Sequence, residues 1–259
     1  MEIEQAIQWV QRLIAVAIIF QTIELLQIKT TFADNGVWSW DDLKKEFKIF
    51  SPFNQRMLDF FLSYRNFLCL LGVRICLAIC LLFFSHPLIL AILLFSTILI
   101  GLRWRGTFNG GSDYMTILVL SALTVESLSN HSYKISLAVL WYLAIQVCSS
   151  YFIAGLVKIR RQNWRDGTAL RCFLASTIYK VDGLSNLIRD KKSIAIVLSW
   201  LLFLFEMGFP LALVSPDLSL AVILMAIFFH VGNFYIFGLN RFVFAWLACY
   251  PALYFCSGL

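Results

Sequence analysis

Residues 194–214 read IAIVLSWLLFLFEMGFPLALV, an unbroken apolar run whose single charged side chain is Glu206. A helix of about 20 such residues crosses the roughly 30 Å of hydrocarbon in a bilayer. Lipid offers the backbone no water, so a run like this must satisfy its own N–H and C=O groups, which a helix does. Within it, Gly208-Phe209-Pro210 predicts a kink, because proline withholds an N–H and crowds the turn before it.

Similar runs recur on both sides. They cover Ile7–Leu26, Asn66–Phe84, Leu88–Leu102, a segment opened by Asn109-Gly110-Gly111-Ser112-Asp113 and reaching Leu128, Tyr133–Val157, Leu218–Phe237 and Phe242–Cys256. The chain of 259 residues is 60% hydrophobic and 14% charged, with a mean hydropathy of +0.80. A soluble domain carries about 25% charged residues, so this surface needs lipid around it. The expected fold is all-α: a polytopic transmembrane helical bundle of about eight spans, with residues 1–259 forming a single integral membrane domain. Asp34-Asn35-Gly36 marks a turn after the first span, and two connectors are expected to carry interfacial amphipathic helices. One is 41–60, rich in Trp and Phe; the other is 168–188, where Leu170, Phe173, Leu174 and Ile178 mix with Arg171 and Lys180.

The net charge is +6. Of the 21 Lys and Arg, 18 fall in 27–65, 103–113, 158–192 and at Arg241, which eight spans place on one side. The positive-inside rule then puts both termini outside the cytoplasm. Anionic membrane lipid is the partner such a charge fits, and no nucleic acid partner is expected, because no basic segment stands clear of the membrane. The start, Met1-Glu2-Ile3-Glu4, is acidic where a cleavable signal peptide is basic, so the first run is expected to be retained. Seven cysteines sit singly, without metal-ligand spacing.

Ionisable groups at bilayer depth cost a few kcal/mol each and call for a partner or a cavity. Arg74, Glu126 and Arg241 read most simply as helix-pairing or snorkelling groups. Glu206 and His230 lie mid-span, each beside residues that loosen a helix, and both are expected to face the interior. Lys158 ends the segment Tyr151-Phe152-Ile153-Ala154-Gly155, whose small residues let helices approach closely. Two readings stand for it. A desolvated lysine there could serve as a general base; a snorkelling lysine would only anchor the helix end, with Arg160 and Arg161 behind it.

Tyr151 through Lys158, followed by Trp164-Arg165-Asp166-Gly167-Thr168, resembles the signature of the HTTM family, the transmembrane domain shared with vitamin K-dependent gamma-carboxylase. Asp34-Asn35-Gly36-Val37, Asn109-Gly110-Gly111-Ser112-Asp113 and His230 with Gly232 agree with it in order. The resemblance implies that Lys158 is the base toward a membrane quinol of the menaquinone or vitamin K type. By the same reading His230 joins it in catalysis, while Tyr151, Gly155, Trp164, Asp166, Thr168 and Glu206 bind the cofactor. Asn130-His131-Ser132-Tyr133 is similar to another carboxylase tetrapeptide but stands elsewhere in the order of helices, so His131 is expected in a short turn.

No counterpart of the carboxylase's large lumenal domain is expected, and one extra residue separates Lys158 from the Trp-x-x-Gly motif. Its size is similar to that of the short bacterial type, such as the membrane subunit of the sporulation-delaying toxin maturation system. That similarity implies a place in the bacterial inner (plasma) membrane, a secreted peptide as substrate and partner maturation proteins. The carboxylase precedent puts the chemistry on the lumenal side; the charge count puts the Lys158 end in the cytoplasm. The alternatives to an enzyme are a non-catalytic scaffold, export or immunity subunit and, without any inverted repeat to support it, a transporter.

Overall fold

The computed structural model describes residues 1–104, 111–175, 183, 186, 188 and 190–259. Among the described residues all regular structure is helical, with no strand. The long helices are α1 (Ile3–Gln27), α2 (Pro52–Leu62), α3 (Tyr64–Leu81), α4 (Pro87–Arg103), α5 (Ser112–Leu128) and α6 (Tyr133–Arg160). They are followed by α7 (Thr168–Ala175), α8 (Lys192–Gly208, continued as a 3-10 turn to Leu213), α9 (Pro216–Phe237), α10 (Asn240–Leu247) and α11 (Tyr250–Cys256).

Helix ends follow local chemistry. Proline stands in the first turn of α2, α4 and α9, where its missing N–H has no intrahelical partner to lose. The residue before each supplies a cap. Ser51 accepts from Asn54 N–H, His86 from Leu88 N–H and Ser215 from Leu218 N–H. Gly238, at φ +66°, ends α9 in the left-handed conformation that glycine adopts without a Cβ clash.

Among the described residues, five helices are long and apolar enough to cross a membrane: α1, α3, α6, Lys192–Leu213 and α9. The third and fourth expected spans are α4 and α5, each 17 residues long. The eighth is corrected. Residues 242–256 form α10 and α11, of 8 and 7 residues, neither of which spans about 30 Å at 1.5 Å per residue. Pro251, in the first turn of α11, cannot donate back to Leu247, so the helix breaks there. On α9, Leu220, Leu224, Phe228 and Val231 expose one apolar face at helical spacing, while Ser219, Ile223, Ala226 and His230 are buried on the other. An apolar face that wide is lipid-facing surface.

The chain divides into two compact units, residues 1–2, 140–243 and 249–259 in one and residues 3–139 and 244–248 in the other. In the second, α1 packs on α3 and α5 on α4. The connector after α1 folds back into an aromatic cluster of Phe32, Trp40, Phe47 and Phe67 with Leu25, Leu62 and Leu99. The Arg103 guanidinium lies 5.6–5.8 Å from the ring centres of Phe67, Phe32 and Trp40 and donates to the Phe32 carbonyl at 2.7 Å. Deeper in this unit Arg74, 1% exposed, donates to the Thr22, Ser96 and Thr97 hydroxyls, the Leu93 carbonyl and the Gln21 amide oxygen at 2.6–3.1 Å. Gln21 in turn donates to Asp113 at 3.1 Å.

In the first unit, Leu174 of the short amphipathic helix α7 packs with Ile188 and Ala195, flanked by Leu170, Leu198 and Phe237. This helix rests on α8 rather than standing apart in water. The expected continuation through Ile178 and Lys180 lies outside the described residues.

Candidate functional site

On α6, one helical turn separates Gly155 from Lys158. A Cβ on Gly155 would stand 2.8 Å from Met207 Cγ, 2.9 Å from Met207 N and 3.0 Å from Glu206 Cβ. Only glycine therefore lets α6 approach the end of α8 this closely. That approach brings Lys158 Nζ to 2.5 and 2.6 Å from the two Glu206 carboxylate oxygens. Glu206 is 3% exposed; Lys158 is 20% exposed. The Trp164 ring centre lies 5.6 Å from the ammonium, completing its surroundings with an aromatic face.

Seven residues before Lys158, Tyr151 is buried at the centre of a second polar group. Its hydroxyl lies 2.6 Å from His230 Nε2 and 2.9 Å from the Tyr250 hydroxyl. Its ring stacks on Phe209 at 3.8 Å between centres and 8° between planes. Because Glu206 and Phe209 are one turn apart, the acid–base pair and the aromatic group share one face of the α8 end. The expectation that Glu206 and His230 face inward holds, at 3% and 4% exposure.

The Trp-x-x-Gly motif supports the pair from behind. Gly167 has φ +75° and sits against the α8 backbone, its missing Cβ leaving room for Ala195 and Ile196. Trp200 Nε1 donates to the Arg165 carbonyl at 3.3 Å. Asp166 and Thr168 are brought to each other: Asp166 Oδ1 accepts from the Thr168 N–H at 2.9 Å and caps α7. The Thr168 hydroxyl and N–H together hold the Asp166 carboxyl below the usual carboxylate range. Of the eight predicted site residues, Lys158, Glu206 and Trp164 thus meet at one point with Gly155 behind them. Tyr151 and His230 meet at a second, and Asp166 with Thr168 forms the turn.

Tyr250 and Phe209 were not expected from the sequence. A tyrosine inside an apolar run is the one available signal for Tyr250, since a buried phenol seeks a hydrogen-bond partner. Phe209 carries no such signal among 24 phenylalanines.

All-helical structure, long apolar helices and apolar outward faces define an integral membrane protein. The family model described as HTTM domain matches residues 114–257, more than half the chain, and the chain belongs to the HTTM family. No curated protein and no solved structure matches it.

Proposed function

We propose that this HTTM protein is a membrane-embedded acid–base enzyme, or the membrane subunit of one. It would take a proton from a quinol of the menaquinone or vitamin K type and serve the maturation of a secreted peptide, in the company of partner proteins of a bacterial inner membrane. The observation that carries this reading is the Lys158–Glu206 pair, buried on the carboxylate side and partly open on the ammonium side. The pair is neutral overall, so an apolar setting tolerates it better than either charge alone. A proton delivered to it lands on Glu206 and leaves the Lys158 ammonium beside the anion that gave the proton up. Lysine alone was the base expected from the sequence; with a carboxylate at 2.5 Å, the base is the pair, and Lys158 supplies the stabilising charge.

What supports a quinol is the aromatic group beside the pair: Tyr151 stacks on Phe209, and His230 with Tyr250 holds the Tyr151 phenol in place. A bound quinol would supply an acidic phenolic hydroxyl and reducing equivalents. The chain's own residues orient it, take its proton and keep water away.

The test is native mass spectrometry with lipid extraction on protein purified from a menaquinone-containing membrane. A copurifying quinone, depleted at least several-fold by Lys158→Met, is the expected result. Wild-type protein that neither copurifies with quinone nor binds added menaquinol would count against the enzyme. A scaffold reading would then take its place, since the same pair ties α6 to α8 and packing alone would require it.

A further inference from the structure

The unit that does not contain Lys158 holds a cavity of about 340 Å³. It is lined by one face of the first turns of α1 (Glu4, Ile7, Gln8, Gln11), by the turn between α3 and α4, and by the α5–α6 connection with Glu126, His131 and Ser136. That volume is at the small end of ligand sites. At its floor Glu126 is 2% exposed, and its carboxylate takes the Ser136 hydroxyl at 2.8 Å and His131 Nδ1 at 2.9 Å. Asn130 and His131 both have positive φ, 51° and 57°, a backbone conformation rare for residues with a side chain, and it folds the imidazole back over the carboxylate.

The lining is rich in acceptors and poor in cations. It includes the carboxylates of Glu4 and Glu126 and no Lys or Arg. The Gln11 amide nitrogen is committed to the Leu81 carbonyl at 2.6 Å, which leaves its oxygen as the atom for a ligand. Ile3 and Ile7 add an apolar wall. Ser136 and His131 donate to Glu126, and no Lys or Arg lines the cavity to share its buried carboxylate.

We infer that this cavity binds a primary alkylammonium group, with Glu126 as its counter-ion, the Gln11 oxygen as a second acceptor and the isoleucines against its first methylenes. The ammonium is that of a free amine, a peptide amino terminus or an aminoethyl lipid headgroup.

The experiment is isothermal titration of butylammonium into the full-length protein in nanodiscs of phosphatidylcholine and phosphatidylglycerol, which carry no primary amine. Saturable binding is expected, weakened at least tenfold by Glu126→Gln, which keeps a hydrogen-bonding side chain in place. Glu4→Gln, at an exposed position, should weaken it about threefold without touching the folded core. Tetramethylammonium, which has no N–H to donate, should bind at least tenfold more weakly than butylammonium. Absence of saturable binding by the wild type, or equal binding by both variants, overturns the site. Repeating the titration in nanodiscs containing phosphatidylethanolamine separates the sources. Competition there identifies a lipid headgroup, and unchanged affinity identifies a soluble amine or peptide terminus.

Discussion

Arg74 and Lys158 are both cations within helices of an apolar chain, and they are accommodated in opposite ways. Arg74 is 1% exposed and donates to five neutral oxygens contributed by two helices, α1 and α4, and Gln21 of α1 also donates to Asp113. Lys158 meets one carboxylate directly and retains 20% exposure. A guanidinium stays protonated across the physiological range, so Arg74 holds its acceptors without exchanging its own proton. An ammonium against a carboxylate, with one side open, forms a pair that can accept a proton from outside. The first arrangement is closed by its own helices; the second leaves one side of the ammonium open.

The largest effect expected from this contrast is on folding. Arg74→Met removes the hub of its network and leaves several polar groups buried without their donor. It should lower the unfolding free energy by about 3–5 kcal/mol, the range for breaking a buried ionic arrangement. Measured by denaturation in detergent micelles, a loss smaller than that of Lys158→Met would reverse the assignment of roles. Lys158→Met comes next, at about 2–3 kcal/mol, because it strands a Glu206 carboxylate that is 3% exposed. The double variant Lys158→Met with Glu206→Leu removes both charges and should regain most of that stability. It should still lack quinol-dependent activity. A double variant that is both stable and active would show that the pair is structural, like Arg74.

This contrast was only partly legible in the sequence. Hydropathy exposes the runs and their order, because burial in lipid imposes a length and a composition on each one. It missed the break at Pro251, since the flanking residues are apolar throughout and one proline in a span is often tolerated as a kink. Lys158 and Glu206 stood out as charges that are costly in a helix within lipid, and Gly155 as a small residue where helices can approach. Their meeting did not, because 48 residues separate Lys158 from Glu206 and no local rule sets the rotation of α6 against α8. Tyr250 and Phe209 were hidden for a related reason: stacking and phenol pairing depend on which helix faces are apposed.

Two smaller perturbations sharpen the picture around the pair. Tyr151→Phe removes the hydroxyl shared with His230 and Tyr250, both buried, and should cost about 2 kcal/mol. If the Tyr151 group only supports the aromatic stacking, quinone retention should fall less than for Lys158→Met in the same extraction assay. Gly155→Ala places a methyl group against Met207 and the Glu206 Cβ at the distances given above. Overpacking of this kind costs about 1–3 kcal/mol, and it should lengthen the Lys158–Glu206 contact. A crystal or cryo-electron microscopy structure of the variant showing the contact unchanged would mean that the helix approach does not set the pair.

The smallest effect belongs to the turn behind the site, where Asp166 is exposed and screened by water. Its carboxyl is depressed below the ordinary 3.8 because the Thr168 hydroxyl and N–H bond its charged form. A depressed carboxylate contributes its stabilisation above the unfolded value and loses it as pH falls through the folded one. The α7 cap should therefore be intact at neutral pH and weaken only below about 3.8. The Thr168 amide proton resonance, followed through an acid titration in micelles, should shift upfield as its acceptor is neutralised. Asp166→Asn, which keeps an acceptor oxygen but removes the charge, should flatten that titration while leaving the Lys158–Glu206 contact and quinone retention unchanged. A variant that lost quinone together with the cap would move Asp166 out of the turn and into the site, giving Lys158 a second carboxylate and making its surroundings less unlike those of a saturated structural cation.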